Sequence, residues 1–331
     1  VPGFAFAQNY EILWEDPSPE GVAWVEEEFD ALWADAFPLP DAIVEEIKRV
    51  ADRVEIRFDD ASAKEMPAAA LAESPIYRGG EQLQPWQRSF VTMFLEHRET
   101  YGKARLLLAD EVGVGKTLSL AASAMVSALL DDGAVLILCP STLTVQWQVE
   151  LADKLGIPSA VWSSTKKVWT DPHGHVIKTR GPEDIARCPF RIAIVSTGLI
   201  FQESDERQYL LARKFGTVVL DEAHKARRRG GMGPKKDEPN NLLDFMLRIG
   251  ARAQNVLLGT ATPIQTSVEE LWDLMRILNT DANFVLGREL FGRWSDFSKA
   301  LPVVKGEELP VDEKDAWEWL RNPLPPGTED A

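Results

Sequence analysis

The sequence predicts an α/β fold in which a mostly parallel sheet is flanked by helices. Two observations carry that expectation. Arg105–Leu108, Val135–Cys139 and residues 217–220 are short apolar or β-branched runs, as expected of parallel strands covered on both faces. Between the first two, helical spacing runs from Thr117 to about Leu130, and strand, crossover helix and strand imply a right-handed, parallel connection. The third run ends in two carboxylates, Asp221 and Glu222, where the carboxyl end of a parallel strand opens onto a crevice.

A length of 331 residues gives a prior of about two domains. An apolar content of 45% is ordinary for a chain with a large core. No apolar run reaches the ~18 residues of a membrane span, and the first residues lack a basic-then-apolar leader pattern. Val1 is not Met, so a cut piece of a longer chain is expected. Cys139 and Cys188 lie far apart, and Cys139 ends an apolar strand as a small buried residue. That usage fits a reducing cytoplasm. The net charge of −16 looks hostile to nucleic acid, but it is unevenly placed. Residues 1–75 hold 18 acids and 5 bases, residues 306–331 hold 8 and 2, and residues 76–305 hold 26 and 29. The middle can therefore meet a phosphate backbone.

Taken in order, residues 1–75 read as an acidic helical segment and linker. Residues 22–36 have helical spacing, with Val25, Phe29, Leu32 and Trp33 on one face. A second helix is expected over residues 42–52, capped by Asp41, and the Ala-rich, acidic residues 61–73 read as a linker. Next, Leu83-Gln84-Pro85-Trp86-Gln87 leads into a helix over residues 88–97. Gln87 offers an amide able both to donate to and to accept from an adenine edge.

The first strand ends in Asp110-Glu111-Val112-Gly113-Val114-Gly115-Lys116-Thr117 and runs on through Leu118 into a helix. Such a loop turns backbone N–H groups inward at a helix N-terminus, where the dipole also favours anions. Lys116 adds a charge for the β/γ-phosphates and Thr117 a hydroxyl for Mg²⁺. The strict phosphate-loop pattern wants Gly where Asp110 stands, which points to a particular subgroup.

After the strand at 135–139 come Pro140, Ser141 and Thr142, then a helix over residues 143–155 carrying Gln146 and Trp147. Residues 163–190 show no clear periodicity. No carboxylate or cysteine cluster sits at ligand spacing around His173 and His175, which disfavours a metal site. A strand at 192–195 leads to Thr197. The strand at 217–220 ends in Asp221-Glu222-Ala223-His224. There Asp221 can hold Mg²⁺, Glu222 can orient and deprotonate a water, and His224 can sense the γ-phosphate. Lys225, Arg227, Arg228, Arg229, Lys235 and Lys236 follow among glycines, either as a nucleic-acid contact or as a solvated insert. A helix over residues 241–250 precedes a strand at 255–258 that ends in Thr260 and Thr262. Ser267 caps an amphipathic helix over residues 268–278, with Leu271, Trp272, Leu274, Met275 and Leu278 inward. Residues 281–331 suggest a helical insertion around Phe284, Phe291, Trp294 and Phe297, and then a flexible tail.

Together these motifs resemble the superfamily-two helicases, and within them the Swi/Snf-like branch close to HepA/RapA-type ATPases. The resemblance covers about residues 80–280. It implies a RecA-like lobe with ATP and Mg²⁺ as ligands. It makes Gln87 the adenine reader, Asp110 to Thr117 the Walker A loop, and Asp221 to His224 the Walker B or DEAH box. Pro140, Ser141, Thr142, Gln146 and Trp147 match the first nucleic-acid-contacting motif, Thr197 is a further tentative contact, and Thr260 and Thr262 couple hydrolysis to strand contact. Asn9-Tyr10-Glu11 with residues 29–33 resembles the tail of a phospholipase-D-like domain, without its His-Lys-Asp motif. That domain order resembles components of bacterial anti-phage systems.

Such motors pair two lobes, and the second carries an arginine finger. The residues after Pro263 are too few for another lobe, so the expectation is the first lobe of a longer, cytoplasmic motor acting on duplex DNA. Alone it should bind ATP with little turnover. A nucleotide-gated protein-binding module and an RNA helicase lobe are the alternatives.

Overall fold

The computed structural model describes residues 18–34, 74, 76, 81–130, 132–229, 238–265, 267–287 and 293–321. Among them the strands are β1 (Arg105–Leu108), β2 (Val135–Cys139), β3 (Ser159–Ser163), β4 (Val168–Thr170), β5 (Val176–Ile177), β6 (Ile192–Ser196), β7 (Phe215–Asp221) and β8 (Ala253–Gly259). They form one sheet in the order β1-β8-β7-β2-β6-β3-β4-β5. Pairing is parallel from β1 through β3, and antiparallel only where β4 and β5 extend the far edge. β2 and β7 are buried along their whole length, which is why β2 and residues 218–220 of β7 are continuous apolar runs instead of alternating ones.

The helices are α1 (Pro19–Ala34), α2 (Pro85–Tyr101), α3 (Lys116–Leu129), α4 (Thr144–Val149), α5 (Thr197–Phe201), α6 (Asp205–Ala212), α7 (Asn241–Gly250), α8 (Val268–Asn279), α9 (Phe297–Val304) and α10 (Glu313–Arg321). Two apolar layers cover the sheet. One joins Phe90 and Phe94 of α2, Leu120 and Met125 of α3, and Trp147 of α4. The other joins Leu199 of α5, Leu210 of α6, Phe245 and Ile249 of α7, and Leu274 and Ile277 of α8. In α3 every residue from Leu118 to Ala128 is buried, because α2 covers the side that the sheet does not. Its run of Ala and Ser lets it sit close to the strands. At Gly259 a Cβ would lie 2.5 Å from Leu120 Cδ1.

The strands expected at 135–139, 192–195, 217–220 and 255–258 are present, and the latter three are longer by one to three residues. The stretch without periodicity holds β4, β5 and a 3₁₀ turn at Pro182–Ala186, and β3 precedes it. The helix expected over 88–97 is the longer α2, and the one over 143–155 is α4 continued by a π-helical turn at Glu150–Lys154. α1 realises the helical spacing over residues 22–34, with Val25, Phe29 and Trp33 52%, 58% and 71% exposed, while the side chain of Leu32 and residues 35–36 lie outside those described. Beyond α8, Phe284 stacks on Tyr101 of α2 at 4.2 Å, and Trp294 packs between Trp272 and Trp319. The expectations for residues 9–11, 42–52, 61–73, Lys235, Lys236, Phe291 and the tail lie outside the described residues. No helix among those described is long and apolar enough to cross a membrane.

Candidate active site

The sheet order brings three strand ends together. β8 lies between β1 and β7, with Gly259 level with Leu108 on one side and Asp221 on the other. The loop after β1, the acids after β7 and the hydroxyls after β8 therefore share one edge. Thr260 N–H donates to Leu108 O at 3.0 Å and closes the join.

The phosphate loop turns on two glycines in the left-handed region, Gly113 at φ 88° and Gly115 at φ 83°. Gly115 heads α3, and no side chain caps that helix end. Backbone donors at a helix head with no side-chain cap suit an anion. Lys116 Nζ donates to the loop's own carbonyls, Asp110 O at 2.8 Å and Glu111 O at 2.7 Å. Leu118 turns its side chain into the core, and its N–H closes the first turn onto Gly115 O at 3.0 Å. That finding removes Leu118 as a free donor to a nucleotide.

Two side chains from the start of α2 brace this loop. Trp86 Nε1 donates to Val114 O at 3.0 Å, and Gln87 Nε2 donates to Gly115 O at 3.1 Å. Gln87 Oε1 accepts the Gln84 N–H at 2.8 Å, so both ends of the buried Gln87 amide are engaged within the protein. The brace at Trp86 is absent from the sequence reading. Its signal is an aromatic donor directly beside Gln87.

Asp221 ends β7 and is 6% exposed. Its Oδ1 accepts the Glu222 N–H at 2.9 Å, and its Oδ2 accepts the Trp147 indole N–H at 2.9 Å. Burial raises the Asp221 pKa most strongly, while Trp147, the Glu222 N–H and nearby Lys116 oppose it. Glu222 sits in the left-handed region at φ 53°. A non-glycine residue there carries about 1–3 kcal/mol of strain, of the kind found at functional sites. Glu222 Oε2 lies 3.2 Å from His224 Nδ1, which also lies 2.9 Å from Thr260 Oγ1. Glu222, His224 and Thr260 are thus one connected chain. Thr262 N–H donates to Thr260 Oγ1 at 3.2 Å and extends it.

The nucleic-acid candidates divide. Ser141, Thr142 and Gln146 are exposed, and Pro140 is half-buried. Trp147 is 0% and Thr197 4% exposed, so neither can touch a strand. Both are corrections. Trp147 lies on the inward stripe of α4, and Thr197 begins α5 beneath the surface. In the basic run, Arg227 pairs with Glu270 at 2.9 Å and Arg228 with the buried Asp273 at 3.1 Å. These two arginines anchor the segment after the acids to α8.

Thr117 and Asp221 offer a hydroxyl and a carboxylate, the oxygen ligands that a hard divalent cation takes. The set fits Mg²⁺ held together with a phosphate group.

The family model described as the SNF2-related domain matches residues 86–312. The chain is similar to the uncharacterized ATP-dependent helicase YqhH of Bacillus subtilis, at 27% identity over 76% of this chain and 39% of that protein. It is also similar to the RNA polymerase-associated protein RapA of Actinobacillus pleuropneumoniae (28% identity, 54% of this chain, 18% of that one). A third relative is the chromodomain-helicase-DNA-binding protein 8 of Danio rerio (27%, 85% and 11%). The chain thus spans well under half the length of these curated relatives. A similar solved structure is the Sulfolobus solfataricus SWI2/SNF2 ATPase core in complex with dsDNA, at 22% identity, 72% and 42% coverage and a TM-score of 0.48.

Proposed function

Because the chain belongs to the SNF2-related domain family, we propose that residues 76–280 are the ATP-binding lobe of a DNA-dependent ATPase that translocates on duplex DNA. The observation that carries this is the convergence of a lysine-bearing phosphate loop and two strand-end acids on one edge of the sheet. The names of the relatives support the class, since they include two helicases, one of them also named as DNA-binding.

In this reading the backbone at the head of α3 and the Lys116 ammonium hold the β- and γ-phosphates. Thr117 and Asp221 hold Mg²⁺, which neutralises charge on the phosphate oxygens when bound. Glu222 orients the attacking water and accepts its proton. His224 passes the state of the site to Thr260, and the exposed Ser141, Thr142 and Gln146 face the nucleic acid. Gln87 reads adenine only by giving up its bonds to Gly115 and Gln84.

The test is nucleotide binding by the 331-residue chain. ATP should bind with Mg²⁺, and Lys116→Ala should weaken binding at least tenfold. Failure to bind at millimolar ATP, or indifference to Lys116→Ala, contradicts the reading. Turnover should stay low until a second lobe is supplied, since a transition-state arginine is worth about 10³–10⁵ in rate in comparable NTPases. If adding that lobe restores no ATPase, the chain is a nucleotide-gated binding module. Competition between duplex DNA and structured RNA at one fixed salt separates the DNA reading from the RNA one. An anti-phage setting rests on the resemblance of residues 9–33 alone, and the relatives named above lend it no support.

A further inference from the structure

The corrected position of Trp147 has a use. We propose that Trp147 is a positioning residue for the metal-holding carboxylate: its indole N–H fixes the plane of Asp221 so that the acid presents a free lone pair of set direction to Mg²⁺. This rests on the reading of Asp221 given above.

The geometry is specific. Asp221 accepts two hydrogen bonds, one on each oxygen, and the donors differ in kind. The Glu222 N–H is local backbone and comes with the chain. The Trp147 N–H arrives from a different element, 74 positions away in sequence. An indole has one donor and no acceptor, so it can only favour an acceptor oxygen, the form a metal ligand needs. The ring itself is held. It is fully buried in the apolar layer with Leu151 and Leu155. The next residue, Gln148, donates to Ser159 O and Thr170 O, both at 3.1 Å, which pins the register of α4 on β3 and β4. Thr144 Oγ1 donates to Ser141 O at 3.0 Å and fixes the other end. The inward stripe of α4 is therefore Thr144, Trp147 and Gln148, with Leu151 continuing it. The exposed motif at Ser141 and Thr142 sits at the head of the same short segment. One element thus joins the surface offered to a nucleic acid to the acid that holds the metal.

The experiment compares two variants that each remove one buried indole donor and keep an aromatic ring. Trp147→Phe removes the donor to Asp221. Trp169→Phe removes one of like burial whose N–H goes to Asp184 O at 3.0 Å, away from the site. A fluorescent ATP analogue is titrated against each full chain in EDTA and then with rising Mg²⁺. For Trp147→Phe the Mg²⁺ midpoint should rise by about tenfold or more, the usual cost of losing a partner behind a metal ligand, with metal-free affinity unchanged. Trp169→Phe should leave the midpoint in place. An unchanged midpoint in Trp147→Phe, or an equal rise in both variants, overturns the proposal. A wild-type chain that binds no nucleotide instead overturns the reading beneath it. If Trp147→Phe does not fold, the ¹⁵N-labelled wild-type chain decides. Of its 11 tryptophans, one indole N–H signal that survives in Trp86→Phe should shift when Mg²⁺ joins the nucleotide complex. No such response overturns the proposal.

Discussion

His224 stands among four charged neighbours and one hydroxyl. Burial is the largest influence and lowers its pKa from the ordinary 6.5, Glu222 and Glu270 pull it up, and Lys225 and Arg227 push it down. A histidine with a depressed folded pKa stabilises the fold above its unfolded value, and that contribution is lost as pH falls through the folded value. Near neutral pH the ring is therefore uncharged, and its Nδ1 serves Glu222 or Thr260 according to tautomer. Glu222→Gln removes an upward pull, so the His224 pKa should fall further below 6.5 in an NMR titration. A rise would show that the Glu222 contact is absent in solution. At this scale the sequence was most informative about chemistry and least about direction. Residue type and spacing brought out Lys116, Asp221, Glu222, His224 and Thr260, which the fold gathers along one edge. The same spacing could not say that Trp147 faces inward, because burial of one residue in a short helix depends on the strands it lands upon.

At the scale of elements, close approach of α3 to β8 determines what the site can tolerate. Leu120 is fully buried and occupies the space that a side chain at 259 would need. Gly259→Ala should therefore destabilise the chain by about 1–3 kcal/mol through overpacking. Leu120→Ala should cost less in the Gly259→Ala background than in the wild type, because contacting positions do not add. Denaturant melts of the four chains measure this, and simple additivity would contradict the contact. Long, wholly buried strands such as β7 were legible because both faces demand apolar residues. β3, β4 and β5 were not. They are five, three and two residues long, and their pattern mixes buried Trp162 and Trp169 with exposed or half-buried positions. Edge hairpins of that length gain their order from neighbours more than from propensity.

Across the whole molecule, the end of the sheet opposite the site is tied by a polar network. Asp132, after α3, receives Arg98 of α2 through Nε at 2.8 Å and through Nη2, and Asn255 of β8 at 3.2 Å. Asn255 also accepts the Ala104 N–H at 2.8 Å and donates to Thr217 of β7 at 3.1 Å. Three elements, α2, β7 and β8, thus meet on one carboxylate and one amide. Asp132→Ala should cost about 3 kcal/mol, the low end for breaking a buried pair, because Arg98 can partly reach solvent. A thermal or denaturant melt of the variant within about 1 kcal/mol of wild type would show that the network is dispensable. The interposed strand has a consequence of its own. Two strand widths, about 9.6 Å, separate the roots of the cationic loop and the acidic corner. Were β1 and β7 direct neighbours, ammonium and carboxylate could neutralise each other and leave no room for a guest between them. By standing between them, β8 sets the two roots apart while Lys116 still acts on Asp221 through space, and an anion with its counter-ion becomes the natural bridge.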